Sequence, residues 1–211
     1  MEEREAAVHP QEHRIDQARG AAIRARLGAR CIVLVGMMGS GKSAIGRVLA
    51  EALALPYHDS DTEISTAAGL SIAEIFARFG EEYFRAGERR VVARLLAEGP
   101  AVLSLGGGAF LAPETRDLIA HKGVSIWLSA DVDMLFSRVM RRPGTRPLLE
   151  TADPKATIAA LLEKRAPIYA LADLRVESSS ASKAETGEAA LRALEAHLGL
   201  QGEPAGEGAA A

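Results

Sequence analysis

An α/β fold built on a parallel sheet is predicted by three observations. Five short apolar runs alternate with longer stretches of helical spacing, the pattern of βαβ units joined by right-handed crossovers. The first run, Cys31–Val35, is apolar without interruption, as a central strand covered on both faces requires. It leads directly into Gly36-Met37-Met38-Gly39-Ser40-Gly41-Lys42-Ser43, a glycine-rich turn that opens a helical run over Ala44–Leu53.

Taken in order, residues 1–29 read as an N-terminal extension, helical or partly disordered. Ile15, Ala22, Ile23 and Leu27 fall near one helical face, which suits a helix packed on its own domain; docking on a partner or an anionic surface is the alternative. A single domain then runs over residues 30–198. Its further strands are expected at Leu55–His58, Ala101–Leu105, Val124–Leu128 and Leu174–Val176. Ser71-Ile72-Ala73-Glu74 has the form of a capping box, and Pro113 stands where a first-turn proline is tolerated before Glu114–Ala120. Asp61 could cap a helix over Thr62–Ala68, a reading that yields to a ligand role once the phosphate loop is considered. The end, residues 199–211, is rich in Gly, Ala and Glu and is expected to be disordered.

Composition narrows the function. A hydrophobic fraction of 48% and a charged fraction of 25% belong to a globular protein rather than a disordered or coiled-coil one. A net charge of −3 offers no field for a polyanion, so nucleic acid is not expected as a partner. Cys31 is the only cysteine, which excludes an intrachain disulfide and points to a reducing cytoplasm. The opening MEEREAAVHPQEHR lacks the apolar stretch of a secretory signal, and no apolar run approaches the ~20 residues that span a bilayer. His9, His13, His58, His121 and His197 make no H-E-x-x-H spacing, so a histidine-built metal hydrolase is disfavoured. Trp127, within an apolar run, reads as core.

The chemistry starts at the glycine-rich turn, which satisfies G-x-x-x-x-G-K-[ST] at every fixed position. In such a loop the backbone amides point inward at phosphate oxygens and the following helix adds its positive end. Gly39, Ser40, Gly41, Lys42, Ser43 and Ala44 are thus expected to bind ATP, with Lys42 on the β/γ-phosphates and the Ser43 hydroxyl on Mg²⁺. Downstream, Asp59 and Asp61 stand at a strand's carboxyl end, where open α/β sheets bind ligands. Beside the phosphate loop they suit one carboxylate near Mg²⁺ and another near an acceptor hydroxyl. The glycines Gly106, Gly107 and Gly108 follow the third strand and mark a close approach of backbone to ligand.

Together these features resemble the shikimate kinase family. Its Asp-x-Asp pair, Phe-Arg-x-x-Glu segment, Leu-Gly-Gly-Gly segment, Arg-Pro-Leu-Leu lid motif and late Arg-x-x-x-Tyr occur here in the same order. They are Asp59/Asp61, Phe84-Arg85…Glu88, Leu105–Gly108, Arg146-Pro147-Leu148-Leu149 and Arg165…Tyr169. The resemblance implies a P-loop NTPase fold of the nucleoside-monophosphate-kinase type, with five parallel strands in the order 2-3-1-4-5 flanked by helices. It implies transfer of the γ-phosphoryl of ATP to the 3-hydroxyl of shikimate, with Mg²⁺, in the chorismate pathway to aromatic amino acids. By matched position, Asp61 would bind the hydroxyls and act as base, and Asp59 would hold Mg²⁺ through water. Arg85 and Arg165 would grip the carboxylate, Gly107 would give an amide, and Arg146 would close over the phosphates from a lid near residues 138–150. Phe76 and Phe84 resemble apolar walls of that pocket; Arg138 or Arg141 would flank the adenine. A cytoplasmic monomer acting on ATP and shikimate follows. A P-loop kinase of another small hydroxy acid such as gluconate, or a non-catalytic nucleotide-binding module, are the alternatives.

Overall fold

The computed structural model describes residues 10–141, 151–178 and 182–200. Five strands, β1 (Cys31–Val35), β2 (Tyr57–Asp59), β3 (Val102–Ser104), β4 (Gly123–Ser129) and β5 (Leu174–Glu177), form one parallel sheet in the order β2-β3-β1-β4-β5. β1 is central: Ile32 pairs with Val102 on one side and with Val124 on the other, and all five of its residues are buried. The second strand starts two residues later than expected. Leu55 N–H donates to Ala50 O at 2.9 Å, so Leu55 still belongs to the end of the preceding helix rather than to the sheet.

The alternation of side chains along β1 divides the interior into two cores. Cys31, Val33 and Val35 face a core completed by Val92, Leu95, Ile119, Ile158 and Tyr169. These come from α4 (Ile72–Ala97), α5 (Pro113–Lys122) and α7 (Pro154–Tyr169). Ile32 and Leu34 face the other core, with Ile45 and Leu49 of α2 (Lys42–Ala52) and Ala190 and Leu194 of α8 (Lys183–His197). Full burial of each such aliphatic side chain favours folding by about 1.5–3 kcal/mol.

The first helix, α1 (Pro10–Leu27), adds Ile23 and Leu27 to this second core. Among the residues of α1 whose side chains are described, Gly20, Ile23 and Leu27 are buried and Ala22 is exposed; Ile15 lies outside them. A Cβ at Gly20 would stand 2.3 Å from Ala52 O, so the two helices touch backbone to side of backbone. Arg19 pairs with Glu188 and Glu195 of α8, each at 2.7 Å. At the other end Leu200 N–H donates to Glu195 O (2.8 Å) and Leu200 packs on the core, so residues 199–200 finish α8 instead of opening a disordered tail.

α3 (Ser60–Ala68) begins at Ser60, and its cap is Asp59, whose side chain accepts from Asp61 N–H; Asp61 itself lies in the first turn. The capping box at Ser71 and Glu74 is present, and α4 breaks at Gly80 (φ 80°, ψ 176°). α6 (Val132–Met140) ends at Arg141. The expected lid is described only that far: Arg146 and the rest of residues 142–150 lie outside the described residues, as do residues 179–181 and 201–211. Among the described residues no helix is long and apolar enough to cross a membrane.

Candidate active site

β1 delivers the chain into the phosphate loop at the carboxyl edge of the sheet. Gly39 (φ 81°) and Gly41 (φ 97°) take left-handed conformations that side-chain-bearing residues rarely adopt. Gly41 is also the residue before α2, and no side chain caps that helix, so its positive end faces the loop. Lys42 Nζ donates to Gly36 O (2.8 Å) and Met37 O (3.0 Å), which holds the ammonium over the turn. Ala44 N–H donates to Gly41 O at 3.0 Å. Gly39, Gly41, Lys42, Ser43 and Ala44 all line a cleft of about 520 Å³. Ser40 does not: it is fully buried, its N–H donates to Met37 O (3.2 Å), and its hydroxyl lies buried inside the turn. Ser40 shapes the loop from within.

β2 brings both aspartates to the same cleft. Ser43 Oγ donates to Asp59 Oδ2 at 3.0 Å, and Tyr57 Oη reaches that oxygen at 3.2 Å. Asp59 Oδ1 accepts from Asp61 N–H (3.2 Å), so the cap of α3 and the contact to the phosphate loop share one carboxylate. Burial pushes the Tyr57 phenol up, and the charge of Asp59 acts in the same direction. Ser43 and Asp59 are hard oxygen donors beside a phosphate loop, a set that suits Mg²⁺ held mainly by nucleotide oxygens and water. Among the described residues no cluster of three or more His, Cys, Asp or Glu could hold a metal alone.

β3 runs into the three glycines, and each meets a different charged side chain. A Cβ at Gly106 would stand 2.6 Å from Asp61 Oδ1; at Gly107, 3.6 Å from Arg165 Nη1; at Gly108, 2.5 Å from Arg85 Nη1. The missing side chains therefore let one carboxylate and two guanidinium groups converge over a strip of backbone. That strip is pinned: Gly106 N–H donates to Ser60 Oγ (2.9 Å), Ala109 N–H donates to Gly106 O (3.0 Å), and Tyr169 Oη donates to Gly107 O. Arg165 lies beside the same phenol, which burial pushes up and Arg165 draws back.

Arg85 is held from its own helix. Its Nη1 donates to Glu88 Oε2 at 2.7 Å, one turn on, and Glu81 contacts its other side at 3.3 Å. Glu88 is 3% exposed, and burial raises its pKa while the Arg85 ion pair opposes the rise. Among the described residues its Oε1 has no hydrogen-bond partner, and it would stand 3.1 Å from a Cβ at Gly106, facing the Asp61 side of the site. Phe84 is buried with Ile64 and Ile75, and Phe76 stacks on it at 4.6 Å, so the pair makes a small core under Arg85. Trp127 packs beside Tyr169 in the main core.

The structure thus gathers Lys42, Ser43, Asp59 and Asp61 in one cleft, with Arg85 and Arg165 at the glycine strip behind it. Sequence reading gave no role to Glu88 or Tyr57. The signals were an i, i+3 spacing from Arg85 and an i, i+2 spacing from Asp59 on one strand face. Arg138 is fixed at the mouth by Ser178 Oγ (2.8 Å), with Arg141 nearby in the lining. A second hollow of about 460 Å³ lies among α1, α2 and α8, but it is lined by Arg19, Glu51 and Glu188 with aliphatic side chains and holds no glycine-rich backbone. The chemistry lies in the first.

Known proteins carry the same combination. The shikimate kinase family model matches residues 38–195. A shikimate kinase of Bradyrhizobium diazoefficiens is 56% identical over 178 residues, 84% of this chain and 86% of that one. One from Mesorhizobium japonicum is 47% identical over 85% of this chain and 88% of its own. Among solved structures, shikimate kinase from Acinetobacter baumannii in complex with shikimate superposes with a TM-score of 0.76 at 32% identity, covering 85% of this chain and 98% of that one. With the phosphate loop, the paired aspartates and the glycine strip in one cleft, and relatives this similar over most of their length, the chain belongs to the shikimate kinase family.

Proposed function

We propose that this protein transfers the γ-phosphoryl group of ATP to the 3-hydroxyl of shikimate, giving shikimate 3-phosphate and ADP. One observation carries the reading: Asp61, Arg165 and Arg85 each stand against one of three successive glycines, beside the phosphate loop. Shikimate has one carboxylate and three hydroxyls on a small ring. Two planar guanidinium groups suit the carboxylate, and a carboxylate acceptor suits the hydroxyls.

The positions of the described residues, together with the family resemblance, support the following roles. Arg85, braced by Glu88, and Arg165 bind the substrate carboxylate, with Gly107 offering its backbone amide and Gly106 and Gly108 making room. Asp61 orients the ring hydroxyls and accepts the proton of the attacking one. Lys42 and the loop amides neutralise the phosphates. Ser43 and Asp59, the latter through water, would hold Mg²⁺, which when bound would neutralise charge on the phosphate oxygens. By the family resemblance alone, Arg146 supplies a further cation over the phosphates, and Arg138 or Arg141, both in the lining of the cleft, flanks the adenine. The reading takes the protein to be a cytoplasmic monomer in aromatic amino-acid biosynthesis.

Asp61→Asn tests it. The substitution keeps size and hydrogen bonding to hydroxyls but removes the base, and kcat should fall roughly 10²–10⁴-fold with shikimate affinity largely kept. Near-normal turnover of this variant would remove Asp61 from proton transfer.

A further inference from the structure

Tyr57 takes no part in the mechanism above, yet its phenol reaches into the site. Ser43, Gly46 and Arg47 of α2 stand at i, i+3 and i+4 and share a helix face. The Tyr57 ring lies along that face. A Cβ at Gly46 would stand 2.5 Å from Tyr57 Cε2, and the Arg47 guanidinium covers the ring at 5.2 Å. Gly46 therefore admits the ring against the helix, and the ring carries its hydroxyl to the first turn, where Ser43 is. There Tyr57 Oη lies 3.2 Å from Asp59 Oδ2, the oxygen that already accepts from Ser43 Oγ at 3.0 Å.

The two donors fix the direction of that oxygen. Asp59 Oδ1 is tied to Asp61 N–H at 3.2 Å, which leaves the carboxylate held at both ends. A serine that presents a lone pair to a cation must turn its proton to another acceptor, and Asp59 Oδ2 is that acceptor here. A hydrogen bond from outside the ligand set that orients a ligand is the usual way a protein tunes a metal site.

We propose that Tyr57 is a positioning residue for magnesium–nucleotide binding: its hydroxyl holds Asp59 Oδ2 toward Ser43, in a slot that Gly46 opens and Arg47 covers. The inference rests on the assignment of Ser43 and Asp59 to Mg²⁺. Tyr57→Phe is the test, because it keeps the ring and its packing and removes only the hydroxyl. Binding of a fluorescent ATP analogue to the full-length protein would be measured without shikimate, against Mg²⁺ concentration and in EDTA, with Asp59→Asn in parallel.

The Mg²⁺ concentration at half-maximal enhancement should rise about tenfold in Tyr57→Phe. Binding in EDTA, shikimate affinity and the unfolding midpoint should match the wild type. An unshifted Mg²⁺ midpoint in Tyr57→Phe beside a shifted one in Asp59→Asn would overturn the role of Tyr57 and leave the metal assignment standing. Unshifted midpoints in both would overturn both. Equal weakening with and without Mg²⁺ would make the hydroxyl a general structural contact and overturn the proposal as well.

Discussion

Arg85 and Arg165 reach the glycine strip from different helices, α4 and α7, and their neighbours prepare them differently. Arg85 is paired with Glu81 and buried Glu88, while Arg165 stands by the Tyr169 phenol. Replacing either by alanine removes charged hydrogen bonds to a small anion and should weaken shikimate binding by ~1.5–3 kcal/mol, with nucleotide affinity unchanged. Calorimetric titration of the two variants checks this; an unaltered shikimate affinity in both would strip them of the role. Glu88 makes a separate prediction. Burial raises its pKa in the folded protein, so below the ordinary carboxyl value of about 4.3 it is protonated folded or unfolded. As pH rises past that value the unfolded chain ionises first, and this residue's contribution to stability declines until the folded-state value is passed. The wild type should therefore lose stability relative to Glu88→Gln as pH climbs above about 4.3, whatever the offset from the lost Arg85 contact. The wild-type unfolding midpoint should fall relative to that of Glu88→Gln across that range, and the opposite slope contradicts it. Arg85, Arg165 and Asp61 were legible in the sequence because motif order places them. The burial of Glu88 was not, because a charged residue three positions from an arginine is more often a solvated surface pair.

The elements were legible where one local signal dominates. β1 is bounded by an unbroken apolar run and a glycine turn, and the structure starts and stops it at Cys31 and Val35. β2 was displaced because Leu55 is as apolar as a strand residue, but its N–H closes the last turn of α2. The cap of α3 is ambiguous in the sequence for a related reason: two aspartates at i, i+2 both qualify, and only the path of the chain out of β2 chooses Asp59. The strip after β3 is the element whose purpose depends most on what surrounds it. Gly106 has no positive φ, so alanine suits its backbone; what it lacks is space, since the new Cβ would stand 2.6 Å from Asp61 Oδ1. Gly106→Ala should displace that carboxylate and lower kcat by about 10²-fold, because a misplacement of an ångström costs that much in an oriented reaction. Circular dichroism and the unfolding midpoint should stay close to the wild type. Full activity in this variant would mean that Asp61 is not held where the account needs it.

For the protein as a whole, the sheet order carries the function. Placing β1 between β3 and β4 sets the phosphate loop beside the loops after β2 and β3, which brings Lys42 next to Asp59, Asp61 and the glycines. The parallel α/β class was readable from alternating apolar and helical segments, but the 2-3-1-4-5 order came from family resemblance, because periodicity does not say which strands are neighbours. The α1 helix shows the same limit. Its apolar residues are visible in the sequence, yet over the part whose side chains are described the buried face is Gly20, Ile23 and Leu27 without Ala22, set by contact with α2 and the Arg19 pairs to α8. All of this converges on one reaction, phosphoryl transfer from ATP to shikimate. ADP release by the purified full-length protein with ATP and Mg²⁺, measured with no acceptor, with shikimate and with gluconate, tests it. Release should saturate with shikimate and stay at the acceptor-free rate with gluconate. ADP release that is indifferent to shikimate, or that responds to gluconate instead, would contradict the account.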